Sequence, residues 1–529
     1  MDVILAGYTV DSEVVGDMKK GKLPAGAVIT PETISAAYAR ISRYPQPVTE
    51  LRRITRADVE ATRQSNRIIV FGMGHHSVAE HVQFNFDIMG ISRLALEALE
   101  TARLCSYTEK SQRYITLQGD FVVPEELDEQ QEALLRGVVE KQVQLYKRSF
   151  EVLHGYQKKL HPDMQEKKRD IETVEGWAKE DARYALGLCT EAQLGFSGNA
   201  RNIEYTIRKL RHHRLAEVRE LSRRIFEAAA SVAPSLIILS DPENFRETFK
   251  REVCDDFFRY YDEDMRKAGE SVMAAAGAAA GSYPSHGDAR LVEHTPEPDL
   301  RLCAALLAAS GGSRSYGSCI ETARGLQKND PQRFRTVILD SMRRLCEYDP
   351  VPREFESVSF TFEIVLSASC FAQLKRHRMM TILKQDYDPQ LGLTLPDSVV
   401  ETGQKGNFEE VAAISASAFQ KARGTQPFAA EYFLTNAHRR RVIAVCNLRE
   451  LYHIARLRMD PHAQWDIQRV SASMAALAQK VAPAAAALAC GKHEFNEVKS
   501  RFFGAGAAAP LDDGCGLKYS EVPETAEDR

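Results

Sequence analysis

FNFDI at 84–88 alternates apolar and polar side chains, and FTFEI at 360–364 repeats the pattern. A period of two sends successive side chains to opposite faces of a strand, so each stretch predicts a half-buried β-strand. Each is followed by a helical stretch rich in small residues and ending in arginine: SRLALEALETAR at 92–103 and SASCFAQLKRHR at 367–378. NARNIEYTIRKLR at 199–211 then answers NLRELYHIARLR at 447–458, where Leu448, Leu451, Tyr452 and Ala455 recur at helical spacing until Pro461 interrupts. A further helical stretch in each half stops at Val-Ala-Pro, 232–234 and 481–483, with proline as the stop. This shared order reads as an ancient duplication fused in tandem.

The expected fold class is therefore α+β, with two tandem homologous domains, each a mixed sheet flanked by helices. The boundaries fall at 1–267 and 299–505. Between them, SVMAAAGAAAGSYPSHGD followed by TPEPD is too poor in large apolar residues for a core. It reads as an Ala/Gly/Pro-rich linker over 268–298, with room for a short Ala-rich helix. An acidic tail occupies 506–529.

A chain of 529 residues fits two large domains or three small ones. A net charge of −4 argues against a dedicated nucleic-acid binder and leaves local basic sites open. The ten cysteines include no C-x-x-C pair, which fits a reducing compartment. The start, MDVILAGYTVDSEVV, lacks the layout of a signal peptide, and no run is apolar enough to span a membrane. The expectation is a cytoplasmic protein with no nucleic acid and no membrane as partner.

Four motifs could carry chemistry. In SYTEKSQRY at 106–114, Glu109, Ser111 and Arg113 alternate, so an extended stretch puts them on one face. A carboxylate, a hydroxyl and a guanidinium together suit a sugar-phosphate, and a polar surface strand with a local Glu–Arg pair has the same pattern. KRHR at 375–378 gathers cations at a helix end, for a pyrophosphate or for the helix C-terminus itself. GHHSVAEH at 74–81 offers His76, Glu80 and His81, whose spacing matches neither zincin motif, so a metal is not expected. The arginines at 201, 208 and 211, and at 449, 456 and 458, lie on amphipathic helices, where solvated or ion-paired roles compete with ligand binding.

Taken together the pieces resemble the flavin-dependent thymidylate synthases. That family carries R-H-R-x-x-S-x-x-E-x-S-x-R after an H-x-S/T-x-x-E-H segment and an F-x-F strand, then N-x-R and H-A-Q-W. The first half keeps His75, Ser77, Glu80 and His81, then Glu109, Ser111 and Arg113, and Arg183 sixteen residues before Asn199. Its R-H-R is reduced to Thr101, Ala102 and Arg103, the upstream glutamine is Ala98, and H-A-Q-W is Leu215, Ala216, Glu217 and Val218. The second half inverts this. Gln373, Arg376, His377, Arg378, Asn447, Arg449, Arg458 and His462-Ala463-Gln464-Trp465 are intact. The E-x-S-x-R positions are Lys384, Asp386 and Asp388, Glu431 stands sixteen before Asn447, and Val351 replaces the early histidine while Glu356 keeps the acid.

The resemblance implies reductive methylation of dUMP to dTMP, with methylenetetrahydrofolate giving the carbon, FAD the hydride and NADPH recharging the flavin. It implies Ser111, Arg113 and Arg183 on the phosphate, with Glu109 and Gln373 on the rest of the nucleotide. FAD would fall to Arg376, His377, Arg378, Asn447 and Arg449, with Ser77 and Glu80 in the same role. Arg458 would face the uracil carbonyl, where a cation stabilises developing negative charge, with Arg211 its weaker counterpart and His75 toward the flavin or folate. The complementary losses imply composite sites in a homodimer of tandem chains, a pseudo-tetramer. Three acids would repel an anion, so the second half's own nucleotide pocket is expected to be dead. A flavoenzyme for another uridine-type nucleotide and a non-catalytic nucleotide-binding scaffold remain open alternatives.

Overall fold

The computed structural model describes residues 1–23, 27–113, 115, 117–253, 256–259, 264–276 and 289–504. The chain is α+β, with two four-stranded sheets of the same order. The first comprises β1 (Asp2–Tyr8), β2 (Gln83–Ser92), β3 (Cys105–Glu109) and β4 (Glu191–Asn199), arranged β1-β2-β4-β3. The second comprises β5 (Ala289–His294), β6 (Ser359–Ser367), β7 (Thr381–Tyr387) and β8 (Arg439–Asn447), arranged β5-β6-β8-β7. All three pairings of the first sheet and the β5–β6 pairing are antiparallel. The sheets are thus antiparallel rather than mixed.

The two FxF stretches form β2 and β6. Phe84, Phe86 and Ile88 point inward while Gln83, Asn85 and Asp87 face out, as the alternation requires. Phe84 and Phe86 lie 6.1 Å apart between ring centroids, and Phe360 and Phe362 repeat that spacing. A bulge between Met89 and Ile91 bends β2 where Gly90 takes φ +69°, and a Cβ there would sit 3.1 Å from the Met1 nitrogen.

Matching helices follow the strands. They are α1 (Arg93–Leu99), α2 (Ala200–Arg211), α3 (Ala216–Ala230), α4 (Ala368–Leu374), α5 (Leu448–Arg458) and α6 (Trp465–Val481). The caps repeat too. Ser92 accepts from the Ala95 N–H and Ser367 from the Cys370 N–H, while Asn199 and Asn447 cap α2 and α5.

The chain divides into two compact units, and they are not the contiguous halves 1–267 and 299–505. One unit is 1–283 with 366–378 and 386–440; the other is 284–365 with 379–385 and 441–529. The first unit takes in second-repeat segments because Ala368, Phe419, Tyr432, Phe433 and Leu434 share a buried core with β2, β4 and α3. Within that unit Gly187 bridges Thr435, with the Leu188 N–H on the Leu434 carbonyl and the Asn436 N–H on the Leu186 carbonyl, each 2.8 Å. The offset from Gly187 to Thr435 equals that from Asn199 to Asn447 (435 − 187 = 447 − 199 = 248). Equivalent positions therefore meet each other, the signature of a local pseudo-twofold axis.

In the other unit, Phe355 packs edge-on to Tyr452 at 5.7 Å. Asp299 accepts the N–H groups of Ala484 and Ala485 at 3.1 and 2.8 Å.

Of the expected linker, 268–275 belongs to a helix that begins at Met265 and 289–294 is β5, while 277–288 lies outside the described residues. The expected tail, 506–529, lies outside them as well. No helix among the described residues is long and apolar enough to cross a membrane.

Candidate active site

Glu109 is the last residue of β3, and its side chain is buried. Arg376 donates to it at 2.9 Å, and the buried Lys375 lies 3.7 Å from its other oxygen and 2.7 Å from Glu100. Burial opposes ionisation of Glu109, but Lys375, Arg93 and Arg376 together outweigh it and hold the carboxyl well below the usual carboxylate range. First-repeat acid and second-repeat cations are thus joined inside one unit. Arg378 extends the contact, donating to the Arg103 carbonyl at 3.0 Å and lying over the Tyr107 ring at 5.8 Å.

The extended run expected through Arg113 stops earlier. After Lys110, whose N–H still reaches the Gln193 carbonyl, the free edge of β4 is taken by residues near 121: the Glu191 N–H bonds to the Asp120 carbonyl, and Val122 to that of Cys189. Without a ladder partner the chain turns. Ser111 Oγ accepts the Arg113 N–H at 3.2 Å, so the three residues do not share a strand face.

The turn brings Arg113 to the buried Glu180, which pairs with its Nε. Arg183 follows on a 3-10 turn, 4% exposed, and interacts electrostatically with Glu180, Arg113 and Arg93. Burial pushes the Arg183 guanidinium below its ordinary value. Arg93 Nε, Arg183 Nε and Nη2, and Gln112 Nε2 are all buried with no hydrogen-bond partner among the described residues. Buried donors on cations are normally matched, and a phosphate would supply the missing acceptors and charge.

Arg93, Gln112 and Glu180 were not assigned roles from the sequence, and Lys375 entered only as part of the KRHR run. No sequence signal marks Arg93, which opens a helix whose seven residues are all buried in the structure. Gln373 is buried on α4 and His377 is buried just beyond the end of that helix.

The other expected residues make contacts of their own. His75 and Ser77 are exposed, and Glu80 pairs with Arg201 at 2.5 Å. In the second unit Glu356 pairs with Arg449 at 3.0 Å, the same bond one repeat on (449 − 201 = 248). Asn447 accepts the Glu450 N–H as a helix cap, and Arg458 closes α5, half-buried. The His76, Glu80 and His81 triplet is dispersed: His76 packs on Phe71, and His81 on Tyr38.

Each repeat carries a cavity on the same helix face. In the second unit, about 460 Å³ is lined by Val351, Arg449, His453, Arg456 and Leu457 among others. In the first, about 180 Å³ is lined by Phe71, His76, Arg201, Glu204 and Arg208 among others. Burial pushes the Glu204 carboxyl up to about 8 from 4.5. Folding raises this value, so the stability it brings is complete below pH 4.5 and is lost as pH rises through about 8. The expected result is that Glu204→Gln, neutral throughout, melts progressively higher than the parent between pH 5 and 9. Parallel melting curves across that range would remove Glu204 as a titrating buried acid.

A model of the thymidylate synthase complementing protein family matches the chain over 27–235 and 290–484. A UPF0159 protein of Chlamydia muridarum is 24% identical over 430 residues, covering 77% of this chain and 77% of its own. A flavin-dependent thymidylate synthase of Clostridium tetani is 28% identical over 220 residues, 40% of this chain and 83% of its own. Among solved structures, a flavin-dependent thymidylate synthase of Helicobacter pylori complexed with FAD and dUMP aligns at 21% identity with a TM-score of 0.26, covering 43% of this chain and 93% of that one.

Proposed function

Because this chain belongs to the flavin-dependent thymidylate synthase family, we propose that it reductively methylates dUMP to dTMP at a composite site, with the nucleotide grip from the first repeat and the flavin grip from the second. The observation that carries this reading is the buried, unmatched donor set of Arg93, Gln112 and Arg183 beside Arg113. A phosphate dianion matches it in charge and in hydrogen-bond sense.

Arg113 and Arg183 hold the phosphate with Ser111, and Arg93 joins them. Glu180 fixes the Arg113 fork. Glu109, kept ionised by its cations, accepts hydrogen bonds from the nucleotide, and Gln373 sets the nucleotide's orientation. Arg376 and Arg378 offer charge for the flavin pyrophosphate, and His377 lies between them in the same run. Asn447 and Arg449, the latter lining the larger cavity, hold FAD as well, and Ser77, Glu80 and His75 serve the flavin or folate side. Bound FAD supplies hydride, renewed from NADPH, and methylenetetrahydrofolate supplies the carbon. Arg458 stabilises negative charge developing on the uracil carbonyl. Two chains form a homodimer that repeats the family's pattern of composite sites.

The test is formation of dTMP from dUMP, methylenetetrahydrofolate, NADPH and FAD-loaded protein; absence of product with nucleotide bound would rule out the assigned reaction. Arg113→Ala is expected to weaken dUMP binding by about 1.5–3 kcal/mol, the worth of a hydrogen bond to a charged group. That is about ten- to a hundred-fold. An unchanged Kd in calorimetry would take Arg113 out of the site.

A further inference from the structure

The second repeat's counterparts of the nucleotide grip carry the opposite sign. Asp386 stands where the first repeat has Ser111 and Asp388 where it has Arg113 (386 − 111 = 388 − 113 = 275), and Glu431 stands for Arg183 (431 − 183 = 248). Anions at these positions repel a phosphate. Two of them, Asp386 and Glu431, hold an arginine instead. Arg214 Nη2 donates to Asp386 Oδ1 at 2.7 Å and to Glu431 Oε2 at 3.2 Å.

The surroundings are built for that cation. Glu431 is 4% exposed, and its other oxygen accepts the Tyr387 N–H at 2.8 Å. The Arg214 guanidinium lies over the Phe428 ring at 5.0 Å. Phe428 is the counterpart of Glu180 (428 − 180 = 248), so a ring that favours a cation replaces the carboxylate that orients Arg113. At the position answering to Arg214, the second repeat has Pro461, which brings no cation. Side by side, one pocket gathers Arg93, Arg113 and Arg183 around the single carboxylate of Glu180, and the other presents carboxylates already holding a cation.

We propose that Arg214 is an internal ligand occupying the phosphate position of the second pocket, which has become a guanidinium site, so each chain binds one nucleotide. The count of one rests on the nucleotide reading above; the guanidinium site does not.

Two measurements test it. Arg214→Ala, with the milder Arg214→Gln beside it, is melted with and without low-millimolar guanidinium chloride, using sodium chloride as control. The expected result is a lowered Tm in both variants, raised by guanidinium but not by sodium, while the parent gains nothing. A Tm equal to the parent's, or no recovery with guanidinium in either folded variant, overturns the guanidinium site. Separately, dUMP is counted by equilibrium dialysis on the FAD-loaded chain. One equivalent in the parent, lost in Arg113→Ala/Arg183→Ala, supports the proposal, and a second equivalent, or one that survives the double variant, overturns it. A parent that binds no dUMP, with guanidinium rescue intact, defeats the nucleotide reading and leaves the guanidinium site standing.

Discussion

Arg183→Met is expected to stabilise the ligand-free protein while weakening dUMP binding about ten- to a hundred-fold. The two effects have one cause. Arg183 is a buried cation whose Nε and Nη2 have no hydrogen-bond partner among the described residues, beside two more arginines and one carboxylate. Such a group costs several kcal/mol of desolvation that Glu180 alone offsets in part, so an apolar side chain of similar length should raise stability by about 1–2 kcal/mol. A bound phosphate reverses the balance, because it brings acceptors and negative charge to those donors. Denaturant titration with and without dUMP reads both signs at once. A variant that loses stability while keeping its affinity would mean that Arg183 is a structural arginine and the phosphate site lies elsewhere.

The largest loss of stability is expected from Glu97→Ala. Glu97 sits in the middle of α1, fully buried, where one oxygen pairs with Arg440 at 2.7 Å and the other accepts the Tyr387 hydroxyl at 2.7 Å. The Arg440 guanidinium is itself sandwiched near Tyr387 and Phe371, at 3.8 and 4.8 Å from their ring centroids. Removing one partner of a buried pair leaves the other charge uncompensated, at a cost of about 3–5 kcal/mol. Replacing both, as Glu97→Leu with Arg440→Met, should recover most of that loss, since no charge is then stranded. Urea unfolding of the single and double variants measures the difference. A single variant within about 1 kcal/mol of the parent would show that the network contributes little.

The Glu97–Arg440 pair is hidden from local sequence patterns, because its partners lie 343 residues apart. The strands FNFDI and FTFEI and the helices that follow were legible, because alternation and helical periodicity are short-range effects. The sharing of second-repeat residues 366–378 and 386–440 with the first repeat was not, because it is set by packing between segments hundreds of residues apart. Glu109, Arg113 and Arg183 were legible as charged positions in a motif. Arg93 was hidden because nothing in SRLALEAL announces that α1 is buried on every side. The turn at Ser111 was missed because it depends on which segment claims the edge of β4. The acids at 386, 388 and 431 announced a lost anion site, yet the cation that fills it comes from Arg214, in the other repeat.

The composite site is tested most directly by the visible spectrum of the purified chain, with released FAD counted per chain and dUMP then titrated in. A flavin spectrum, one FAD per chain, and a spectral change complete at one equivalent of dUMP are expected. A colourless protein that takes up no added FAD would contradict it.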